Sequence, residues 1–233
     1  MPEIGGNAIE VVNLTKSFGN LIAVNDVSFT VPRGEIFGFL GLNGAGKTTT
    51  IRVLAGMMRA QYDRISIAGF DLARQRMEVK AVIGVVPDEP GFYEMLSARI
   101  FLRYIGAMYG LYGKGLAARV DEVVVQMGLG KEADRAILTY SKGMRQRTAI
   151  GAAIIHQPQV LLMDEPFTGI DAYQTHSIKG MLRDFAAQGG TVLLSSHQME
   201  MVEGLCTSFA IIHDGRLLSV QTMADFNAQH PGV

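Results

Sequence analysis

The glycine-rich segment Gly41 to Thr48, GLNGAGKT, constrains the fold of this chain more than any other feature of its sequence. It fits the pattern G-x-x-x-x-G-K-[S/T] at every fixed position. The apolar segment EIFGFLGL that leads into it predicts a strand, and TTTIRVLAGMM at its end predicts a helix. Glycines in such a loop allow backbone N–H groups and the start of the helix to surround phosphate oxygens. The segment therefore predicts an α/β fold with a phosphate-binding loop between a strand and a helix.

Each position of this phosphate loop has an expected role. Lys47 would neutralise the outer phosphates of a nucleotide, and the hydroxyl of Thr48 would ligate Mg²⁺. The residues expected to wrap around the phosphates are Gly41, Leu42, Asn43, Gly44, Ala45 and Gly46. A purely structural glycine-rich turn is the alternative, and the flanking strand and helix disfavour it.

A second motif supplies two carboxylates. The apolar run Val160 to Met163 predicts a strand that ends in Asp164 and Glu165, at the strand edge where ligands bind in open α/β sheets. Asp164 would hold the metal or its waters, and Glu165 would orient and deprotonate an attacking water. Alone, such a pair more often caps a helix or is solvated. Together with the phosphate loop, it favours a site that hydrolyses a nucleotide.

The rest of the chain divides into strand-rich and helix-rich stretches. Two β-type runs, IEVVNL and LIAVNDVSFTV, flank the polar segment TKSFGN and predict an antiparallel hairpin. RISIAG, KAVIGVVP, QVLLMDE, TVLLSSH and FAIIHDGRLLSV are predicted strands, and their alternation with helices predicts a parallel sheet covered on both faces. We expect one domain over residues 1–233, with the α/β core and its β subdomain at 8–87 and 158–225 and a helical insertion at 88–157.

The predicted insertion contains two informative helical stretches. In residues 116–129, helical spacing predicts one buried face formed by Val120, Val123, Val124 and Met127. The stretch Glu94 to Leu111 is also helical in pattern, but it is unusually rich in apolar and aromatic residues. It is interpreted either as a buried helix or as a docking face for another protein.

Composition excludes some classes of function. The 21 Lys and Arg residues nearly balance 22 Asp and Glu residues, so no global field favours nucleic acid as a partner. Charged residues make up only 18% of the chain, which favours an apolar surface that meets another protein. The apolar runs are too short to span a bilayer. Cys206 is the only cysteine, so no intrachain disulfide can form, and we expect a reducing cytosolic setting with Cys206 as a core residue.

Taken in order, the motifs resemble those of the ATPase subunits of the ABC (ATP-binding cassette) family from about residue 8 to residue 225. Besides GLNGAGKT and VLLMDEP, three segments match. The signature loop corresponds to Tyr140–Met144 (YSKGM), the D-loop to Thr168–Asp171 (TGID), and the switch histidine to His197 in SSH. From the residues alone, Ser141 is a predicted helix N-cap and hence a second anion site.

The resemblance implies a P-loop NTPase (RecA-like) core with an antiparallel β subdomain and an inserted α-helical subdomain. It implies ATP and Mg²⁺ as ligands, and a second ATPase subunit whose bound ATP meets Ser141 and Gly143. It further implies that His197 contacts the outer phosphate, that Phe18 stacks on adenine, and that Thr49 joins the phosphate loop in binding the nucleotide. From the residues alone, Phe18 is equally well interpreted as a packed hairpin residue.

Three segments depart from the common family pattern. Asp88 stands where glutamine usually follows the strand KAVIGVVP, and its carboxylate can still offer oxygen to Mg²⁺. The signature loop reads YSKGM where LSGGQ is commonest, and residues 61–64 replace a turn that is normally rich in glycine and serine. PDEPGFYE together with YSKGMRQR resembles the exporter-type (ABC-2-like) subset of the family.

The leading hypothesis is therefore an ATPase subunit, cytoplasmic and peripheral on the inner face of the cell membrane. It would power a separate membrane permease, an exporter, that docks on the helical insertion. One alternative is a soluble ABC ATPase in iron-sulfur assembly or scaffolding. Another is a regulatory module that hydrolyses ATP poorly because of Asp88, although Glu165 and His197 argue against it.

Overall fold

Two β-sheets and eight α-helices make up the computed structural model, which describes residues 6–229. The ends of the expected domain, residues 1–5 and 230–233, lie outside the described residues. The strands are β1 (Asn7–Phe18), β2 (Leu21–Pro32), β3 (Ile36–Leu40), β4 (Arg64–Ile67), β5 (Phe70–Asp71), β6 (Ile83–Val86), β7 (Val160–Met163), β8 (Thr191–Ser196), β9 (Ser208–His213) and β10 (Arg216–Thr222).

The helices lie between and after these strands. They are α1 (Lys47–Leu54), α2 (Arg76–Val82), α3 (Ala98–Met108), α4 (Gly113–Gln126), α5 (Lys142–Ile154), α6 (Ala172–Ala187), α7 (Met199–Val202) and α8 (Met223–Gln229), with 3-10 turns at Gly130–Asp134 and Ile137–Thr139. Within residues 6–229, no helix combines the length and the apolar character that crossing a membrane requires.

The larger sheet has the strand order β10-β9-β3-β8-β7-β6. Strands β3, β7 and β8 are buried at every position, which explains their uninterrupted apolar sequences. Neighbouring strands from β9 to β6 are parallel, whereas β10 runs antiparallel to β9. The expectation of one strand in FAIIHDGRLLSV is therefore wrong, because Asp214 and Gly215 both have positive φ and form a hairpin turn.

The smaller sheet, ordered β2-β1-β4-β5, contains the predicted hairpin of β1 and β2. The segment TKSFGN was expected to separate the two strands, but Phe18 still pairs with Leu21 and only Gly19 and Asn20 form the turn. Farther along β2, the Asn25 N–H donates to the Gly215 carbonyl at 2.8 Å. This bond joins the two sheets beside the phosphate loop.

Helices α3, α4 and α5 pack together over one end of the larger sheet. The predicted buried face of α4, formed by Val120, Val123, Val124 and Met127, is confirmed. Helix α3 buries Phe101 and Leu102 but exposes Ile100, Tyr104 and Met108. One face of α3 is therefore buried, and the other is exposed, so a docking role for the exposed face stays a prediction.

Two element boundaries differ from expectation. In KAVIGVVP only Ile83–Val86 is a strand, because Lys80, Ala81 and Val82 end α2. A short apolar run has no period that distinguishes a strand from the last turn of a helix. The helix after the phosphate loop ends at Leu54 rather than at Met58, since Gly56 has φ +66° and leaves the helical region.

Candidate functional site

The phosphate loop connects β3 to α1 and depends on its glycines. Gly46 has φ +108°, and a Cβ at this position would lie 2.5 Å from the Ala23 carbonyl oxygen of β2. Gly44 has φ +84°, with open space on the side where a side chain would project. Side chains other than hydrogen are strained in this backbone region. The loop therefore lies against the smaller sheet at Gly46 and is exposed at Gly44.

Lys47 begins α1 and turns its ammonium back over the loop. Its side chain is only 5% exposed, and Nζ donates to the carbonyl oxygens of Gly41 at 2.6 Å and Leu42 at 3.2 Å. Nζ also forms an ion pair with Oε1 of Glu165 at 3.2 Å. The Lys47 ammonium, which was predicted to neutralise phosphates, is thus held within the loop.

Glu165 connects the phosphate loop to His197. Its second carboxylate oxygen, Oε2, lies 2.9 Å from Nδ1 of His197, and its side chain is 13% exposed. The residue has φ +46°, an uncommon value for a residue with a side chain and one that marks local strain. Glu165 and His197 line a cavity of about 240 Å³, which leaves room beside the carboxylate for small polar groups.

Ser195, near the end of β8, links the Asp164 carboxylate to the backbone of Glu165. Its hydroxyl donates to Oδ1 of Asp164 at 2.7 Å and accepts the backbone N–H of Glu165 at 2.9 Å. Ser195 is fully buried and Asp164 is 3% exposed, so both bonds lie away from water. Sequence reasoning gave Ser195 no role, although a serine inside an otherwise apolar buried strand was a usable signal.

Asp88 follows β6 and faces the same carboxylates. Partial burial and the neighbouring charges of Asp164 and Glu165 raise the pKa of Asp88 above its usual value. Among the described residues, no cluster of three or more histidine, cysteine or acidic side chains could hold a metal alone.

Other predicted residues lie along the phosphate loop, in the first turn of α1 and on the hairpin of β1 and β2. Thr48 and Thr49 are half-buried in the first turn of α1, whereas Leu42 and Asn43 are exposed. Phe18 is 47% exposed on the hairpin, with the Lys16 ammonium 4.9 Å from its ring centroid.

Ser141 and Gly143 open helix α5. The predicted cap is confirmed, because the Ser141 side chain accepts the Met144 N–H at 3.3 Å. Gly143 lies against Gln174 in the first turn of α6. The signature loop is thus placed beside the D-loop of its own chain.

Comparisons with known proteins agree with this geometry. The family described as ABC transporter matches residues 24–168. The chain is 40% identical to the ABC transporter ATP-binding protein NatA of Bacillus subtilis (strain 168), over 84% of this chain and 80% of that protein. It is 36% identical to the Nod factor export ATP-binding protein I of Bradyrhizobium diazoefficiens, over 89% of this chain and 68% of that protein.

Among solved structures, the chain is similar to one described as an ATP-binding subunit of an ABC transporter. The TM-score is 0.85 at 32% identity, over 95% of this chain and 92% of that chain. The α/β fold class expected from the sequence is thereby confirmed.

Proposed function

The chain belongs to the ABC transporter family, and from that premise we propose that it is the ATP-hydrolysing subunit that powers a separate membrane permease of the exporter type. Family membership makes it an ATP-binding protein and an ATPase. The Nod factor export relative supports the exporter assignment.

One observation carries the hydrolytic role: the Glu165 carboxylate lies between the Lys47 ammonium and the His197 imidazole. A carboxylate so placed can accept a proton from a water that attacks the outer phosphate. His197 orients that carboxylate through Nδ1, and Lys47 supplies positive charge where negative charge develops. Ser195 restrains the backbone of Glu165 and the side chain of Asp164 together.

Mg²⁺ is the metal that these residues suit. The Thr48 hydroxyl and the carboxylates of Asp164 and Asp88 are hard oxygen donors, which Mg²⁺ prefers over nitrogen or sulfur. When bound, the metal would offset the charge of the phosphates.

Two such subunits would face each other across two ATP molecules. The Ser141 cap leaves backbone N–H groups at the start of α5, an arrangement that favours an anion. Ser141 and Gly143 of one subunit would meet the outer phosphate bound by its partner. Phe18, exposed on the hairpin beside the phosphate loop, would stack on adenine.

The permease would dock in an apolar groove of about 730 Å³ between the α/β core and the helical segment 88–157, which we treat as an inserted subdomain. Its lining includes Met57, Met77, Phe92, Phe101, Met108 and Tyr109. An apolar concave surface of this kind suits the end of a helix from another protein. Docking there would place the subunit on the inner face of the membrane.

The test of the hydrolytic role is Glu165→Gln. Removing the base should slow ATP hydrolysis roughly 10²- to 10⁴-fold while ATP still binds. Phosphate release and nucleotide titration measure the two effects, and light scattering should detect an ATP-dependent dimer of the variant. Near-normal turnover would remove Glu165 from the role of base, and an inactive wild type would overturn the ATPase proposal.

The docking proposal is tested by Met108→Glu, which places a charge in the groove at a residue that is 68% exposed. Recovery with a co-expressed exporter permease from detergent-solubilised membranes should fall, while ATP hydrolysis by the isolated subunit is retained. Val125→Glu is the matched control, because Val125 is 77% exposed and lies outside the groove. Recovery of the wild type only in a cytosolic complex would favour the soluble ABC ATPase instead.

A further inference from the structure

The signature loop packs against the D-loop region of its own chain at two points. Gly143 is buried, and a methyl group added to it would collide with the side-chain amide of Gln174 in the first turn of α6. The Lys142 side chain crosses Gly169, and its Nζ lies 2.5 Å from the position that a Cβ on Gly169 would take. Lys142 also lies close enough to Asp88 to act on its carboxyl electrostatically.

The Gln174 side chain is fixed from the other direction by Asp171. Asp171 caps α6: Oδ1 accepts the backbone N–H of Gln174 at 2.8 Å, and Oδ2 accepts its side-chain N–H at 2.9 Å. These bonds turn the Gln174 amide over the start of its own helix and towards Gly143. The other end of the amide, Oε1, is buried without a hydrogen-bond partner. A buried oxygen without a hydrogen-bond partner lowers the stability of the fold. The position of the Gln174 amide therefore calls for a functional explanation.

Backbone conformation does not explain the glycine at position 143. Gly143 is the second residue of α5 and does not have a positive φ, so an alanine would fit the helix. Alanine is also the better helix former. A side chain at position 143 would meet the Gln174 amide, which is the end of a flexible side chain and is held in place by Asp171.

We propose that Gln174 is a positioning residue of the ATPase, which fixes the start of α5 against the D-loop of the same subunit by filling the space beside Gly143. The proposal rests on the proposed function, in which the signature loop and the D-loop serve ATP hydrolysis. Because Ser141 and Gly143 share one helical turn, the contact sets the direction in which that turn faces a partner subunit. Gln174 acts through this placement and does not touch the nucleotide.

A double-mutant cycle of Gly143→Ala and Gln174→Ala tests the contact without any nucleotide. Gly143→Ala should lower the thermal unfolding temperature because its methyl group meets the Gln174 amide, and the double variant should regain most of the loss. Gly180→Ala in α6 is the matched control, since no heavy atom lies within 4 Å of its added methyl group. This control should not lower the unfolding temperature. If the decreases in unfolding temperature of the two single variants simply add in the double variant, the proposed contact is wrong.

The same cycle in ATP hydrolysis tests the positioning role. Gln174→Ala should lower kcat by about tenfold with little change in the KM for ATP, because the phosphate loop is untouched. Gly143→Ala should lower kcat further, through the Gln174 amide and through the outer phosphate that Gly143 would meet, so Gln174→Ala should restore only the first part of this loss in the double variant. A double variant as inactive as Gly143→Ala would overturn the proposal. The wild type could also fail to hydrolyse ATP while the two substitutions still interact in thermal unfolding. That result would overturn the proposed function but not the contact between Gly143 and Gln174.

Discussion

At the scale of single residues, one buried hydroxyl links two acidic residues of the site. Ser195 is the shared partner of the Asp164 carboxylate and the Glu165 backbone N–H. Ser195→Ala leaves both groups without this partner in a buried setting, so we expect the free energy of unfolding to fall by about 1 to 3 kcal/mol. Denaturant titration measures this loss, and kcat for ATP should fall with it.

The control for that prediction is Ser196→Ala. Ser196 is equally buried, but its hydroxyl bonds with the backbone of Gln198 instead of a carboxylate. The control should therefore lose less stability and less activity. Equal losses in both variants would show that any buried hydroxyl near the end of β8 matters alike.

At the scale of elements, helix α5 packs directly on β6, the edge strand of the larger sheet. A Cβ on Gly84 of β6 would collide with the Ala153 carbonyl oxygen of α5 and lie 2.7 Å from Leu161 Cδ2. Backbone cannot move aside as a flexible side chain can, so Gly84→Ala should destabilise the chain by about 1 to 3 kcal/mol. Gly115→Ala in α4 is the control, because nothing lies within 4 Å of its added methyl group. Equal unfolding midpoints in denaturant would contradict the close approach of α5 to β6.

The helices and strands show which parts of the fold could be predicted from the sequence. Continuous apolar runs identified the buried strands β3, β7 and β8, because both faces of these strands are covered. The direction of β10 was missed, since an apolar pattern contains no information on whether neighbouring strands run parallel. The end of α2 was missed because three residues are shorter than one helical period.

The candidate site could also be predicted only in part. Lys47, Asp164, Glu165 and His197 belong to motifs at strand ends, and such ends meet at one edge of a parallel sheet. Their place at one edge of the sheet could therefore be anticipated, whereas their contacts depend on the strand order, which was not predicted. Gln174 could not be anticipated, because its contact with Gly143 depends on how two helices lie against each other. No local pattern in either helix encodes that arrangement.

At the scale of the whole molecule, the single thiol reports on opening of the core. Cys206 is 6% exposed, and burial raises its pKa to about 12, so its thiol stays protonated in the folded chain at pH 8. We expect a thiol reagent to leave the native protein unlabelled at pH 8 and to label one thiol per chain in denaturant. Mass spectrometry measures the extent of labelling over time. Immediate labelling of the native protein would contradict burial of Cys206 between α7 and β9.

The ion pair between Lys47 and Glu165 makes nucleotide loading an exchange of anions. The ammonium already has a negative partner inside the fold, so an incoming ligand gains only the difference between its own attraction and that of the displaced carboxylate. A nucleoside monophosphate has no outer phosphates to reach Lys47, so it cannot replace the Glu165 carboxylate there. If Glu165 is the base that we propose, displacement by a triphosphate would also release its carboxylate from the Lys47 ammonium, so binding of the nucleotide itself would free the base.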